Sequence, residues 1–163
     1  MILVKSSQEA ENYSQLDERL QYTYGAIYLS PSIGVMKPGP GANYLQTFRD
    51  KNSEQFEGGK TYRLHIPPNP PASAFWSLSL YDTATRSMVH NPTNDAARSG
   101  YDDLETNTDG SMDLYFGPKA PDGLETHWIE TVPGRGYYPM FRLYSPTAPL
   151  YDGTWALPDV EPI

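Results

Sequence analysis

From Tyr44 onward the chain alternates. Tyr44–Phe48, Tyr62–Ile66, Phe75–Tyr81, Met112–Phe116 and Tyr137–Tyr144 are short apolar and aromatic runs. Where apolar residues occupy every second position, only a strand with one buried face satisfies the period. Trp76, Leu78 and Leu80 fall on one side of their run and Ser77, Ser79 and Tyr81 on the other. Tyr62, Leu64 and Ile66 similarly oppose Arg63 and His65, while Met112, Leu114 and Phe116 share an inward face. Phe141 and Leu143 point to the core, against Met140, Arg142 and Tyr144. Turn formers separate the runs: Gly58-Gly59, Pro67-Pro68-Asn69-Pro70-Pro71, Asp109-Gly110 and Gly117–Gly123. A proline has no N–H for a ladder, so these segments connect strands. Pro139 places the start of the last run at a sheet edge or bulge. Arg86–His90 reads as a short return strand after a turn over Asp82–Thr85, and Asn91–Thr108 as irregular apart from short pieces.

The N-terminal segment has a different period. Leu16, Leu20, Tyr24 and Ile27 line one face of a helix expected over Ser14–Ser30, with Ser14 as cap, Asp17 in the first turn and Pro31 as stop. Pro38-Gly39-Pro40-Gly41 is a loop, and the proline-rich tail from Ser145 is expected to wrap the surface as coil, anchored by Trp155. Residues 1–13 read as an arm and 14–163 as one domain without internal repeats. Sixteen prolines and 13 tyrosines in 163 residues fit an antiparallel β-sandwich with many turns, carrying one N-terminal helix.

With 12 basic and 20 acidic residues the formal charge is −8, a field that repels a phosphate backbone and argues against nucleic acid. No apolar run approaches the ~18 residues of a membrane span. The first residues lack the basic lead-in and apolar stretch of a secretory signal. A cytoplasmic location is therefore the default expectation, and a periplasmic or secreted one if the chain was cut from a longer precursor. With no cysteine, disulfides and thiolate chemistry are excluded.

Phe75-Trp76-Ser77 with Tyr81-Asp82, Asp109-Gly110-Ser111 with Tyr115-Phe116, Trp128, Arg142-Leu143-Tyr144 with Pro146, and Gly153–Pro158 around Trp155 occur in an order that resembles the family called domain of unknown function 1214. The resemblance covers roughly Tyr22 to the C-terminus and implies a jelly-roll-like β-sandwich. It also implies a companion, domain of unknown function 1254, which usually precedes this domain in family members. The family often has Asn before the tryptophan, where this chain has His127.

Motifs for chemistry are sparse. His65, His90 and His127 are far apart in sequence and lack a His-x-His pair, so neither a metal nor another cofactor is expected. Asn107-x-Asp109-x-Ser111-x-Asp113 resembles the start of a calcium loop, but the twelfth position is Pro118, and an Asx-capped turn explains the same residues. No Gly-x-Ser-x-Gly elbow, Ser-x-x-Lys or His-Glu-x-x-His occurs. Asp82, Asp102, Asp103, Glu125 and Glu130 are the acids available for glycoside hydrolysis. The most suggestive set is a face. If Tyr62–Ile66, Phe75–Tyr81 and Tyr137–Tyr144 share a sheet, its outer side presents Arg63, His65, Ser77, Ser79, Tyr81, Arg142 and Tyr144. Of these, Arg63, His65, Tyr81, Arg142 and Tyr144 are the candidate contacts for a polar or acidic small molecule. The leading expectation is a non-catalytic binding or assembly module working with its companion domain; the alternative is a hydrolase acting on carbohydrate or another polar substrate. A homo-oligomer is expected through Tyr22, Tyr24, Tyr137, Tyr138, Tyr151 and the tail, burying at least ~1,200 Å².

Overall fold

The structure, a computed structural model, describes residues 2–4 and 37–163. The helix expected over Ser14–Ser30 and the residues meant to dock it lie outside the described residues.

Among the described residues, nine strands form two sheets. In chain order they are β1 (Ile2–Val4), β2 (Ala42–Gln46), β3 (Tyr62–Ile66), β4 (Ala72–Asp82), β5 (Ala97–Ser99), β6 (Met112–Gly117), β7 (Trp128–Glu130), β8 (Tyr137–Pro146) and β9 (Glu161–Pro162). One sheet has the order β1-β2-β8-β4-β5, the other β7-β6-β3-β9. Most neighbours are antiparallel, but β1 runs parallel to β2 and β7 parallel to β6, so the sandwich is mixed rather than purely antiparallel. Strand alternation builds the core between the sheets. Leu45, Trp76, Leu78, Leu80, Phe141 and Leu143 come from the first sheet, and Tyr62, Leu64, Ile66, Leu114, Phe116 and Ile129 from the second; all are buried.

The expected strand over Tyr62–Ile66 has the same bounds as β3, whereas the others are shifted or extended. The Arg86–His90 return contributes only a single bridge, Tyr81 to Met88. The irregular stretch after it yields β5. Pro139 lies in β8, a central strand, opposite Leu80. The pairing with β2 ends at Met140, opposite Gln46, and the Leu80 N–H turns away to Ala96. Pro139 is thus on the one-sided part of β8, where its missing N–H leaves no ladder bond unmade.

The tail is more ordered than coil. It forms a one-turn helix, α1 (Pro149–Asp152), closed by Gly153 at φ 79°, and ends in β9 against the β3 edge. Trp155 is buried and stacks toward Phe141 with ring centroids 6.3 Å apart, the anchor its position suggested. Close backbone approach explains Gly58: a Cβ there would sit 2.0 Å from the Val132 carbonyl oxygen. Among the described residues no helix is long and apolar enough to cross a membrane.

Candidate functional site

The outer face of the five-stranded sheet is built by register. β8 places Arg142 beside Tyr44 of β2 on one side and Ser77 of β4 on the other. Two residues on, Tyr144 lies opposite Phe75; four residues back, Tyr138 lies opposite Tyr81. Since the side-chain period is two, all these groups emerge on the side away from the core.

Arg142 is the centre of this face. Its guanidinium lies 5.9 Å from the Tyr44 ring centroid and 5.4 Å from that of Tyr81, within the range of a cation–π attraction. Nη1 donates to Ser79 Oγ at 3.1 Å, and Nη2 donates to the Tyr81 hydroxyl. Both partners are neutral. Among the described residues no carboxylate pairs with Arg142. Tyr144 stacks on Phe75 with centroids 4.2 Å apart and planes at 12°, and Phe75 also meets Tyr101 at 5.0 Å. Tyr101 is 75% exposed. On the other side Tyr81 stacks on Tyr138 at 5.6 Å, and Tyr138 meets Phe48 at 4.7 Å. Burial raises the Tyr138 hydroxyl above its ordinary pKa, while the nearby Arg86 charge opposes the rise.

Tyr81, Arg142 and Tyr144 thus share one face, but Arg63 and His65 do not belong to it. Their strand, β3, lies in the opposite sheet between β6 and β9, which corrects the single five-residue face. Alternation places Arg63 and His65 outside their sheet and says nothing about which sheet that is. Arg63 donates from Nε to Glu161 Oε1 at 2.9 Å and also pairs with it through Nη2; Lys51 holds the other oxygen. Hydrogen bonds from Lys51 and Arg63 hold the Glu161 carboxyl at about 2, far below its ordinary value. His65 Nδ1 lies 2.9 Å from Asp113 Oδ1. These contacts tie β3 to β9 and β6.

Three other sequence candidates, His127, Asp109 and Asp82, have structural partners. His127 is buried; its Nδ1 donates to the Asp113 carbonyl and its Nε2 accepts the Glu105 N–H, each at 3.0 Å. Asp109 accepts both the N–H and the hydroxyl of Ser111, forming the Asx-capped turn that the sequence suggested before β6. Among the described residues no cluster of three metal-ligating side chains occurs. Asp82 receives the Ala84 and Thr85 N–H groups and a 2.7 Å bond from Arg135 Nε. The hydrogen bond from Arg135 is the main cause lowering its carboxyl to about 2. Tyr137 and Tyr138, expected at an oligomer interface, are 2% and 6% exposed. Tyr137 lies in the core, and Tyr138 is covered on the outer face by Phe48 and Tyr81. Tyr151 accepts from Asn43 Nδ2 at 2.7 Å, and Tyr22 and Tyr24 lie outside the described residues. Sequence reading missed Tyr44, Phe48 and Arg86 as members of the outer face. Tyr44 was legible as a strand residue, but its position beside Arg142 depends on a pairing between segments about a hundred residues apart.

The profile of the family described as Protein of unknown function (DUF1214) matches residues 41–148. The chain belongs to this family. Among curated proteins, none matches it. Among solved structures, the VPA0106 protein from Vibrio parahaemolyticus is similar, with a TM-score of 0.68 and 21% identity over 85% of this chain and 34% of that one. An uncharacterized protein from Burkholderia cenocepacia aligns at a TM-score of 0.48 and 11% identity, over 75% of this chain and 28% of that one. The first likeness supports the fold. This DUF1214 chain spans about a third of the length of the Vibrio protein it resembles.

Proposed function

We propose that this DUF1214 chain is a binding or assembly module, and that the outer face of its five-stranded sheet receives an acidic group from its partner. The observation that carries this reading is Arg142: a half-buried cation between two tyrosine rings, whose hydrogen bonds go to the neutral hydroxyls of Ser79 and Tyr81. A guanidinium with no carboxylate beside it among the described residues favours a carboxylate or phosphate brought from outside, and the aromatic plates around it supply contact area. The companion domain of unknown function 1254 is the partner this reading prefers, since the Vibrio protein of similar fold is about three times longer than the matched region. The hydrolase reading loses one of its five acids, since Asp82 is committed to Arg135 and to turn amides.

The winding of the sandwich fits a jelly-roll-like reading. A jelly roll folds one long hairpin over itself, so that strands pair as nested sets. The pairings of β2 with β8, β3 with β6 and β4 with β5 follow that nesting.

The test mixes the chain with a separately produced companion domain and measures mass by light scattering. A mixed complex that forms with the native chain and is lost with a folded Arg142→Glu variant supports the reading. Unchanged separate masses, or a complex indifferent to Arg142→Glu, overturn it.

A further inference from the structure

Beyond β2 and β4 the sandwich carries a partly open cavity of about 150 Å³. Phe48, Phe56 and Tyr137 form its apolar side, and Gln55, Thr83 and Arg86 its polar side. Its volume is large enough for a benzene-sized ring. Gly136 helps to keep the wall in place, since a Cβ there would come 2.7 Å from Thr83 Oγ1.

Arg86 is held in an unusual way. Its φ is +62°, a left-handed backbone that a residue with a Cβ adopts at some cost. Asp82 fixes this turn, accepting the Ala84 and Thr85 N–H groups on its side chain and the Arg86 N–H on its carbonyl. The Arg86 guanidinium lies 5.8 Å from the Phe48 ring centroid and 5.9 Å from that of Tyr138. Acids outnumber bases 20 to 12 in this chain, yet among the described residues Arg86 has no ion pair. A cation therefore lines the polar side of this cavity, hydrogen-bonded to the Tyr138 side chain and with no carboxylate partner among the described residues.

We propose that this cavity binds a small carboxylate with an apolar body the size of a benzene ring. The body lies among Phe48, Phe56 and Tyr137, and the carboxylate meets the forked donors of Arg86. The forked guanidinium favours a carboxylate over a neutral amide of the same shape. This site uses a different cation from the face around Arg142, so either can fail without the other.

Benzoate and its neutral isostere benzamide are suitable probes, titrated while the backbone amide resonances of Thr83 and Gly136 are followed. Benzoate should shift them saturably, and benzamide should bind at least tenfold more weakly. Arg86→Gln should reduce benzoate to the level of benzamide, and Arg86→Lys should fall between. Arg86 is exposed, so these replacements leave the core intact. The proposal is overturned if benzoate produces no saturable shift at Thr83 and Gly136, if benzamide binds equally well, or if Arg86→Gln leaves benzoate affinity as it was.

Discussion

Asp82 shows how one buried carboxylate can organise an end of the fold. It caps the 82–86 turn through two amides and ties that turn to Arg135. Its folded pKa of about 2 lies below the ordinary 3.8, so the stabilisation is fully present above about pH 4 and is lost as pH falls toward 2. A shift of that size corresponds to at most about 2.5 kcal/mol, reduced by solvent around the exposed Arg135. Asp82→Asn should therefore lower stability at pH 7 by about 1–2 kcal/mol and hardly change it at pH 2; urea denaturation at both pH values measures the difference. His127 poses a different problem. Removing its ring takes a partner from the Glu105 N–H and the Asp113 carbonyl, and a hydrogen bond of this kind contributes about 0.5–1.5 kcal/mol. His127→Ala should show that loss in the denaturation midpoint, together with faster hydrogen exchange at the Glu105 amide. Equal exchange in both proteins would show that the imidazole is dispensable.

Among the elements, the tail is tied down by a few large side chains. Trp155, Leu157 and Val160 are buried, and β9 covers the edge of β3 at Tyr62 and Arg63. Trp155→Ala should destabilise the protein by about 3–5 kcal/mol and open the segment after Thr147 to proteases. An unchanged midpoint would mean that the tail rests on the sandwich without holding it. The strands of this family member were readable because Trp76, Leu78, Leu80, Phe141 and Leu143 bury one face and leave the other polar or mixed. Their sheet partners were not readable, since alternation is local and pairing is long-range. Arg63 and His65 were assigned to the Arg142 face for that reason. Strands as short as β5, β7 and β9 carry too few residues for a period to show. Arg86 eluded the sequence for a further reason: its value as a site comes from a backbone angle and two rings from other segments.

At the scale of the whole molecule, the expectation of self-association needs a different surface from the one first assigned to it. With Tyr137 in the core and Tyr138 already covered, the outer sheet face with Tyr44, Phe75, Tyr101 and Tyr144 is the surface on which a second copy would sit in the absence of the companion domain. A dimer of ordinary size would bury ~1,200 Å² or more there. Light scattering over rising concentration should then show a mass doubling that Tyr101→Glu suppresses; a constant monomer mass would reject self-association through this face. The pairing of β2 with β8 also sets a timetable. Ala42 meets Tyr144, and the intervening hundred or so residues take roughly 5–20 s to emerge from a ribosome working at ~5–20 residues per second. Throughout that interval β2 is without its antiparallel neighbour, with an apolar face and an open backbone edge, so newly made chains should depend on chaperones until β8 arrives and closes the sheet.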